Sequence, residues 1–266
     1  MARLRYVKTM DQVKKAAEAN PEFLSSTVRS IRVVYETDAP LAAALVPRPL
    51  EPAERPEVCV TLSHVAIHVT PELTIEIGSG IFGVKARYDG VEGTYLVTMP
   101  MTTEAAVVGG RETYGEPKKI AEIDFQRDGD RASCSVTRMG IPYLEARGTV
   151  GESLGPREFI EHAYCFKALP ACDKGRDFDG DPLLVRLEWR QTHTAAHRMD
   201  GEVILRESPF DPVADLPVRR IVRMEYEEGS TQSNGTVLRS VPGEWLLPFL
   251  HQRYDDPLAE GIELSV

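Results

Sequence analysis

The chain has 266 residues, 42% of them hydrophobic and 27% charged, which is material for a sizeable core and excludes a disordered chain. Its 41 acidic against 31 basic side chains leave a formal net charge of −10, which argues against nucleic acid and anionic membrane surfaces as partners. No apolar run approaches the ~20 residues needed to cross a bilayer, and Met1 to Arg5 lead into no apolar signal region, so a cytoplasmic protein is expected.

Thr9 to Asn20 reads as a short peripheral helix, with Thr9 or Asp11 as its cap and Pro21 just beyond its end. Val28 to Tyr35 has strand-like β-branched content. Asp38 and Pro40 then open a helix over Leu41 to Val46 that stops at Pro47 and Pro49. From Val58 to about Thr149 the pattern is mainly period two, which predicts antiparallel strands at Val58–Val69, Leu73–Ile77, Phe82–Tyr88, Thr94–Met99, Lys119–Phe125, Ala132–Arg138 and Tyr143–Val150. Asp89-Gly90 and Asp128-Gly129 supply hairpin turns. Thr102 to Val108 reads as a short helix delivering a Gly109-Gly110 turn, and Arg157 to Glu161 as another short helix after Pro156. Strands follow at His162–Leu169, near Leu183–Thr194, at Glu202–Glu207 after an Asp200-Gly201 turn, and at Val218–Tyr226. Gly229 to Gly235 reads as a polar loop, and Gly243 to Tyr254 as an amphipathic C-terminal helix.

Many strands with few helices predict a mainly β (α+β) fold, a closed or cone-like antiparallel β-barrel or double sheet decorated by a few helices, because closure removes exposed edges. With no repeat or linker in the chain, residues 1–266 are expected to form a single domain, of which 1–26 are a peripheral N-terminal helix and loop. Cys59, Cys134, Cys165 and Cys172 are scattered without a CxxC spacing, so neither a disulfide framework nor a metal site is expected. His64 and His68 lie too far apart along a strand to hold one metal, and His193-Thr-Ala-Ala-His197 lacks the glutamate of a metalloprotease helix.

The chemistry points to Gly110-Arg111-Glu112-Thr113-Tyr114-Gly115-Glu116-Pro117-Lys118-Lys119, where two lysines follow a turn and lead into apolar sequence. A buried lysine must be paired or give up its proton. As a free amine it attacks carbonyls to form an imine. On a strand the two side chains point to opposite faces. Burial in apolar surroundings, rather than mutual repulsion, is then the expected source of the free amine. Parity joins Lys119 to Ala121, Ile123 and Phe125, and Lys118 to Ile120, Glu122 and Asp124.

This stretch resembles the signature of the acetoacetate decarboxylase-like superfamily, Gly-Arg-Glu followed by Pro-Lys-Lys. Val34-Tyr35-Glu36-Thr37-Asp38, Leu45-Val46-Pro47-Arg48-Pro49-Leu50-Glu51, Gly90-Val91-Glu92-Gly93-Thr94-Tyr95 and Asp211-Pro212-Val213-Ala214-Asp215-Leu216-Pro217-Val218 extend the resemblance from about residue 28 to residue 255. It implies the same barrel or cone, a homo-oligomer, no cofactor, and a Schiff-base enzyme acting on a small keto acid, with decarboxylation as the leading reaction. Carbon–carbon lyase chemistry of aldolase or dehydratase type on the same lysine is the first alternative, and a non-catalytic barrel binding a small carbonyl ligand is the second. The resemblance assigns the imine to Lys118, with Lys119 as the other candidate.

The family's decarboxylases place a glutamate before a Ser-Gly pair. Here Gly78 precedes Ser79-Gly80, so Glu76 is the nearest acid. They also place an arginine where this chain has Val28, with Arg29 adjacent. Arg111 and Glu112 match the signature and are read as an ion pair holding the turn or as substrate contacts. Tyr114 and Glu116 are proton-relay candidates, and Tyr95 and Met99 are expected to line the site.

Overall fold

The computed structural model describes residues 3–19, 24–70 and 73–265. Asn20 and Pro21, the expected end of the first helix, lie outside them. The elements run α1 (Met10–Ala19), β1 (Leu24–Glu36), α2 (Ala39–Ala44), β2 (Glu51–Pro52), β3 (Glu57–Thr70), β4 (Leu73–Tyr88), β5 (Val91–Met101), α3 (Glu104–Tyr114), β6 (Lys118–Ile120), β7 (Glu122–Asp128), β8 (Arg131–Arg138), β9 (Ile141–Ser153), β10 (Arg157–Lys167), β11 (Leu183–Leu205) and β12 (Arg220–Ser240). Short 3-10 turns follow at Val213–Asp215, before β12, and at Gly243–Trp245 and Leu247–Gln252, after it. Among the described residues no helix is long and apolar enough to cross a membrane.

One sheet carries the fold, in the order β10-β5-β4-β3-β1-β12-β11-β9-β8-β7. It closes on itself because the first half of β11, from Leu183 to His193, also pairs with β10. The register of β11 shifts between His193 and Ala195, and from His197 to Leu205 it pairs instead with β9. Such a bulge bends a strand and re-aims it. The result is a ring of strands with β9, β8 and β7 carried out as a second layer, which lies against β1, β3, β4 and β5.

Alternation divides β1 between two environments. Ile31, Val33 and Tyr35 are buried in the core between the layers, with Val58, Val60, Leu62, Phe82 and Val84 from β3 and β4. Ser26, Val28, Ser30 and Arg32 face into the ring. The ring interior is a cavity of about 570 Å³, walled in part by the second apolar cluster, in which Ile77, Met99, Leu187 and Trp189 meet Tyr114 and Ala106 near α3.

Several boundaries differ from the sequence expectation. Arg157 to Glu161 is strand, not helix, because Arg157 to Lys167 pair residue for residue with His193 to Leu183. Gly229 to Gly235 is strand too, and it looks polar because Thr231 and Ser233 face the cavity. Asp200-Gly201 is not a turn. A Cβ on Gly201 would lie 2.7 Å from Gly148 Cα, so that glycine permits close strand approach. Gly109 and Gly110 lie within α3, whose glycine turn comes later, at Gly115. Leu73–Ile77 and Phe82–Tyr88 are one strand, β4, whereas the strand expected at Lys119–Phe125 is broken at Ala121. The C-terminal helix is a pair of 3-10 turns.

Candidate active site

A corner positions the lysines. α3 ends on Gly115, whose φ of +80° is left-handed and whose N–H donates to Arg111 O at 3.0 Å. A Cβ there would lie 2.5 Å from Lys167 N and Phe166 O, so packing demands glycine as firmly as the backbone does. Pro117 O accepts from Met99 N at 3.0 Å, and β6 then adds to β5 as a parallel strand with Met99 opposite Lys118. Arg111 Nη1 donates to Lys118 O at 3.1 Å and to Arg253 O at 3.0 Å, and its guanidinium lies 5.1 Å from the Tyr254 ring. Arg253 in turn donates to Gly115 O and Phe166 O, both at 2.6 Å.

Alternation along β6 sends the two lysines in opposite directions. Lys118 lines the cavity, with its Nζ 2.7 Å from Glu116 Oε2. Its setting is not the purely apolar one expected, since a carboxylate shares it. Lys119 Nζ donates to Phe210 O and Asp211 Oδ1, both at 3.1 Å, and lies 3.3 Å from Asp255 Oδ1. Arg138 completes that group by bonding both Asp211 and Asp255. Lys119 thus belongs to a buried ion network on the face that parity links to Ile123 and Phe125, and that face adjoins the interlayer core rather than the cavity.

Gly110 makes the Lys118 site sterically available. A Cβ on it would lie 2.6 Å from Lys118 Nζ and would also strike Glu116 Oε2. Tyr114 lines the same end of the cavity, and burial, then Glu116, hold its phenol above the usual range, so it stays a hydrogen donor.

The other expected residues scatter. Met99 lines the cavity. Tyr95 is buried on the opposite side of β5, where its hydroxyl donates to Gln252 Oε1 at 2.6 Å and its ring meets Phe166 edge-on. Glu76 points outward, its side chain 69% exposed and 3.5 Å from His64, because Ile75, Ile77 and Ser79 take the inward positions of β4. Gly78 cannot carry a carboxylate instead: a Cβ there would lie 2.7 Å from Ile123 Cβ. Arg29 is also outside, 6.0 Å from the Phe125 ring and bonded to His64, while Val28 faces the cavity. Glu112 is exposed, and among the described residues no ion pair joins it to Arg111, whose partners are main-chain carbonyls.

The cavity has a second polar end that sequence reasoning missed. Arg32 Nη2 bonds Glu161 Oε1 at 2.6 Å, and Arg32 Nε lies 3.4 Å from Glu227 Oε2. Arg157 bonds both Glu225 and Glu227, and His193 Nδ1 lies 3.4 Å from Glu227. Burial opposes the charge on Arg32, but Glu161 and Glu227 outweigh it and raise its pKa. Burial pushes Glu227 up to about 7 in spite of both arginines. Burial, then Arg32 and Arg157, push His193 down to about 4, which makes it a neutral ring. The one sequence signal was the run Ser26, Val28, Ser30, Arg32, whose alternate positions bring polar groups onto a single face.

A strand ring closed over a cavity, with one lysine amine at its wall and the next locked in a structural network, defines an enzyme-like site. The acetoacetate decarboxylase (ADC) family matches residues 9–241, and the chain belongs to that family. It is 28% identical over 233 residues to acetoacetate decarboxylase 1 of Bradyrhizobium diazoefficiens, covering 77% of this chain and 82% of the relative. Its fold is similar to a solved structure described as structural studies of acetoacetate decarboxylase, with a TM-score of 0.71 at 21% identity, over 88% of this chain and 99% of that one. It is similar also to the enduracididine biosynthesis enzyme MppR complexed with the condensation product of pyruvate and imidazole 4-carboxaldehyde, with a TM-score of 0.68 at 15% identity, over 82% of this chain and 90% of that one.

Proposed function

We propose that the protein decarboxylates a keto acid through an imine on Lys118. The observation that carries this is the cavity-facing Lys118 Nζ, 2.7 Å from Glu116 Oε2, beside a Lys119 already held by Asp211. Glu116 takes the proton of the ammonium, and the free amine adds to the ketone. Glu116 then returns a proton to the carbinolamine hydroxyl, which leaves as water. The resulting iminium accepts the electron pair of the breaking carbon–carboxylate bond, and carbon dioxide departs. The Tyr114 hydroxyl delivers a proton to the enamine carbon and regains one from solvent, and water hydrolyses the product iminium to release ketone and the Lys118 ammonium.

One feature favours aldolase-type chemistry as a second reading. Val28 stands at the cavity wall where the resemblance expects an arginine, and Arg32 is already engaged by Glu161 and Glu227. A small substrate's carboxylate near Lys118 then meets no free guanidinium, and an enamine there could equally add to a second carbonyl. Borohydride reduction in the presence of acetoacetate or pyruvate, with mass mapping, tests the imine: an adduct on Lys118 is expected, and none sinks both readings. Gas release from acetoacetate, against a new carbon–carbon product from pyruvate plus an aromatic aldehyde, separates them.

A further inference from the structure

The cavity is far larger than acetoacetate requires. At about 570 Å³ it falls in the range of roughly 300–1,000 Å³ that receives drug-sized ligands. Its two polar ends are well separated. Cys165 Sγ donates to Tyr114 O at 3.3 Å, beside the Lys118–Glu116 pair, and Glu161 lies four residues earlier on the same face of β10. Four strand residues span about 13 Å. Between the ends Val28, Ile77, Ile81, Met99 and Trp189 face in, interspersed with uncharged polar side chains such as Ser30, Ser63 and Ser79. At the far end Arg32 is matched by Glu161 and Glu227, so no unbalanced cation waits there for a second carboxylate.

We propose that the substrate of this site is an extended 3-oxo acid, with its ketone captured at Lys118 and an uncharged alkyl chain lying along the wall toward Arg32 and Glu161. The inference rests on the imine reading and adds the substrate class to it. Acetoacetate would occupy only the Lys118 end and leave the rest of the wall uncovered. Each further methylene placed against that wall is worth about 0.8 kcal/mol, close to fourfold in affinity. A terminal carboxylate at the far end would meet Glu161 and Glu227 and lose that gain.

The test is borohydride trapping with freshly prepared acetoacetate, 3-oxohexanoate, 3-oxooctanoate and 3-oxodecanoate, with 3-oxodecanedioate as the charged-end control. The half-saturating concentration should fall about fourfold per added methylene over the first members, and 3-oxodecanedioate should bind at least tenfold more weakly than 3-oxodecanoate. In Val28→Phe, which narrows the wall, the preference for 3-oxooctanoate over acetoacetate should shrink more than tenfold while unfolding stays cooperative. A Lys118 adduct whose half-saturation does not improve with chain length overturns the inference and leaves the imine reading standing. No adduct with any member overturns both.

Discussion

Two adjacent lysines, alike in sequence, are expected to fail differently when removed. Lys118→Met should abolish the borohydride adduct and leave folding almost unchanged, because its neighbour Glu116 borders a cavity and can be solvated. Lys119→Met should keep an adduct on Lys118 yet cost about 3 kcal/mol, because it removes one partner from a buried ion network containing the fully buried Asp211. Urea denaturation and mass mapping on both variants read the two effects, and an adduct lost equally in both would remove the distinction. Gly110→Ala is the sharper probe. The atoms that a Cβ would strike are the ends of Lys118 and Glu116, which swing aside at little cost to folding. Alanine also favours the α3 backbone by roughly 1 kcal/mol. Thermal stability should therefore hold while kcat falls more than tenfold; a fully active variant would show that the observed pair geometry is not the one that reacts. The lysine signature is local and was readable from one stretch of chain. Arg32, Glu161 and His193 were not, since they lie far apart in the chain on three different strands and only the register of the sheet brings them together.

At the scale of elements, the corner between α3 and β6 is held from a distance by the C-terminal 3-10 segment. Arg253 donates to Gly115 O and Phe166 O and reaches Ala168 O at 3.4 Å, fastening the corner to β10. Replacing it with alanine leaves buried carbonyls without their charged donor, at about 3 kcal/mol in all. Arg253→Ala should therefore lower the urea midpoint and weaken trapping at Lys118 together. Arg253→Lys should recover less than half of each loss, because an ammonium lacks the planar fork that spans two carbonyls. Unchanged trapping in a destabilised alanine variant would show that the corner keeps its geometry without the C-terminal segment. Sequence periodicity located most of the strands but not their ends, and two kinds of residue account for several of the errors. Turn residues served as spacers: Gly201 admits Gly148 in mid-strand, and Gly235 makes room for the Tyr114 ring, 2.5 Å from where a Cβ would stand. Polar residues likewise marked positions on the cavity wall rather than a loop, as at Thr231 and Ser233.

For the molecule as a whole, the buried charges between β1, β10, β11 and β12 set opposing pH dependences. His193 faces Glu227 from β12, Arg32 from β1, and Arg157 and the Phe159 ring from β10, with Glu225 and Glu161 at the edge of the group. Its pKa falls from 6.5 to about 4 on folding, so between those values the unfolded chain binds the extra proton and stability rises with pH. Glu227 moves the other way, from 4.5 to about 7, so the folded chain binds the extra proton and stability falls as pH rises across that window. The two slopes overlap and offset each other in the intact protein. His193→Gln removes only the rising one. The stability of this variant minus that of the parent should therefore fall by about 1.4 kcal/mol per pH unit from pH 4 to 6.5 and be flat above it. Urea unfolding in overlapping buffers measures this difference, and the titration of groups remote from residue 193 cancels from it. A difference that stays level through pH 4 to 6.5 would mean that His193 titrates alike folded and unfolded, contrary to its burial beside two guanidinium groups.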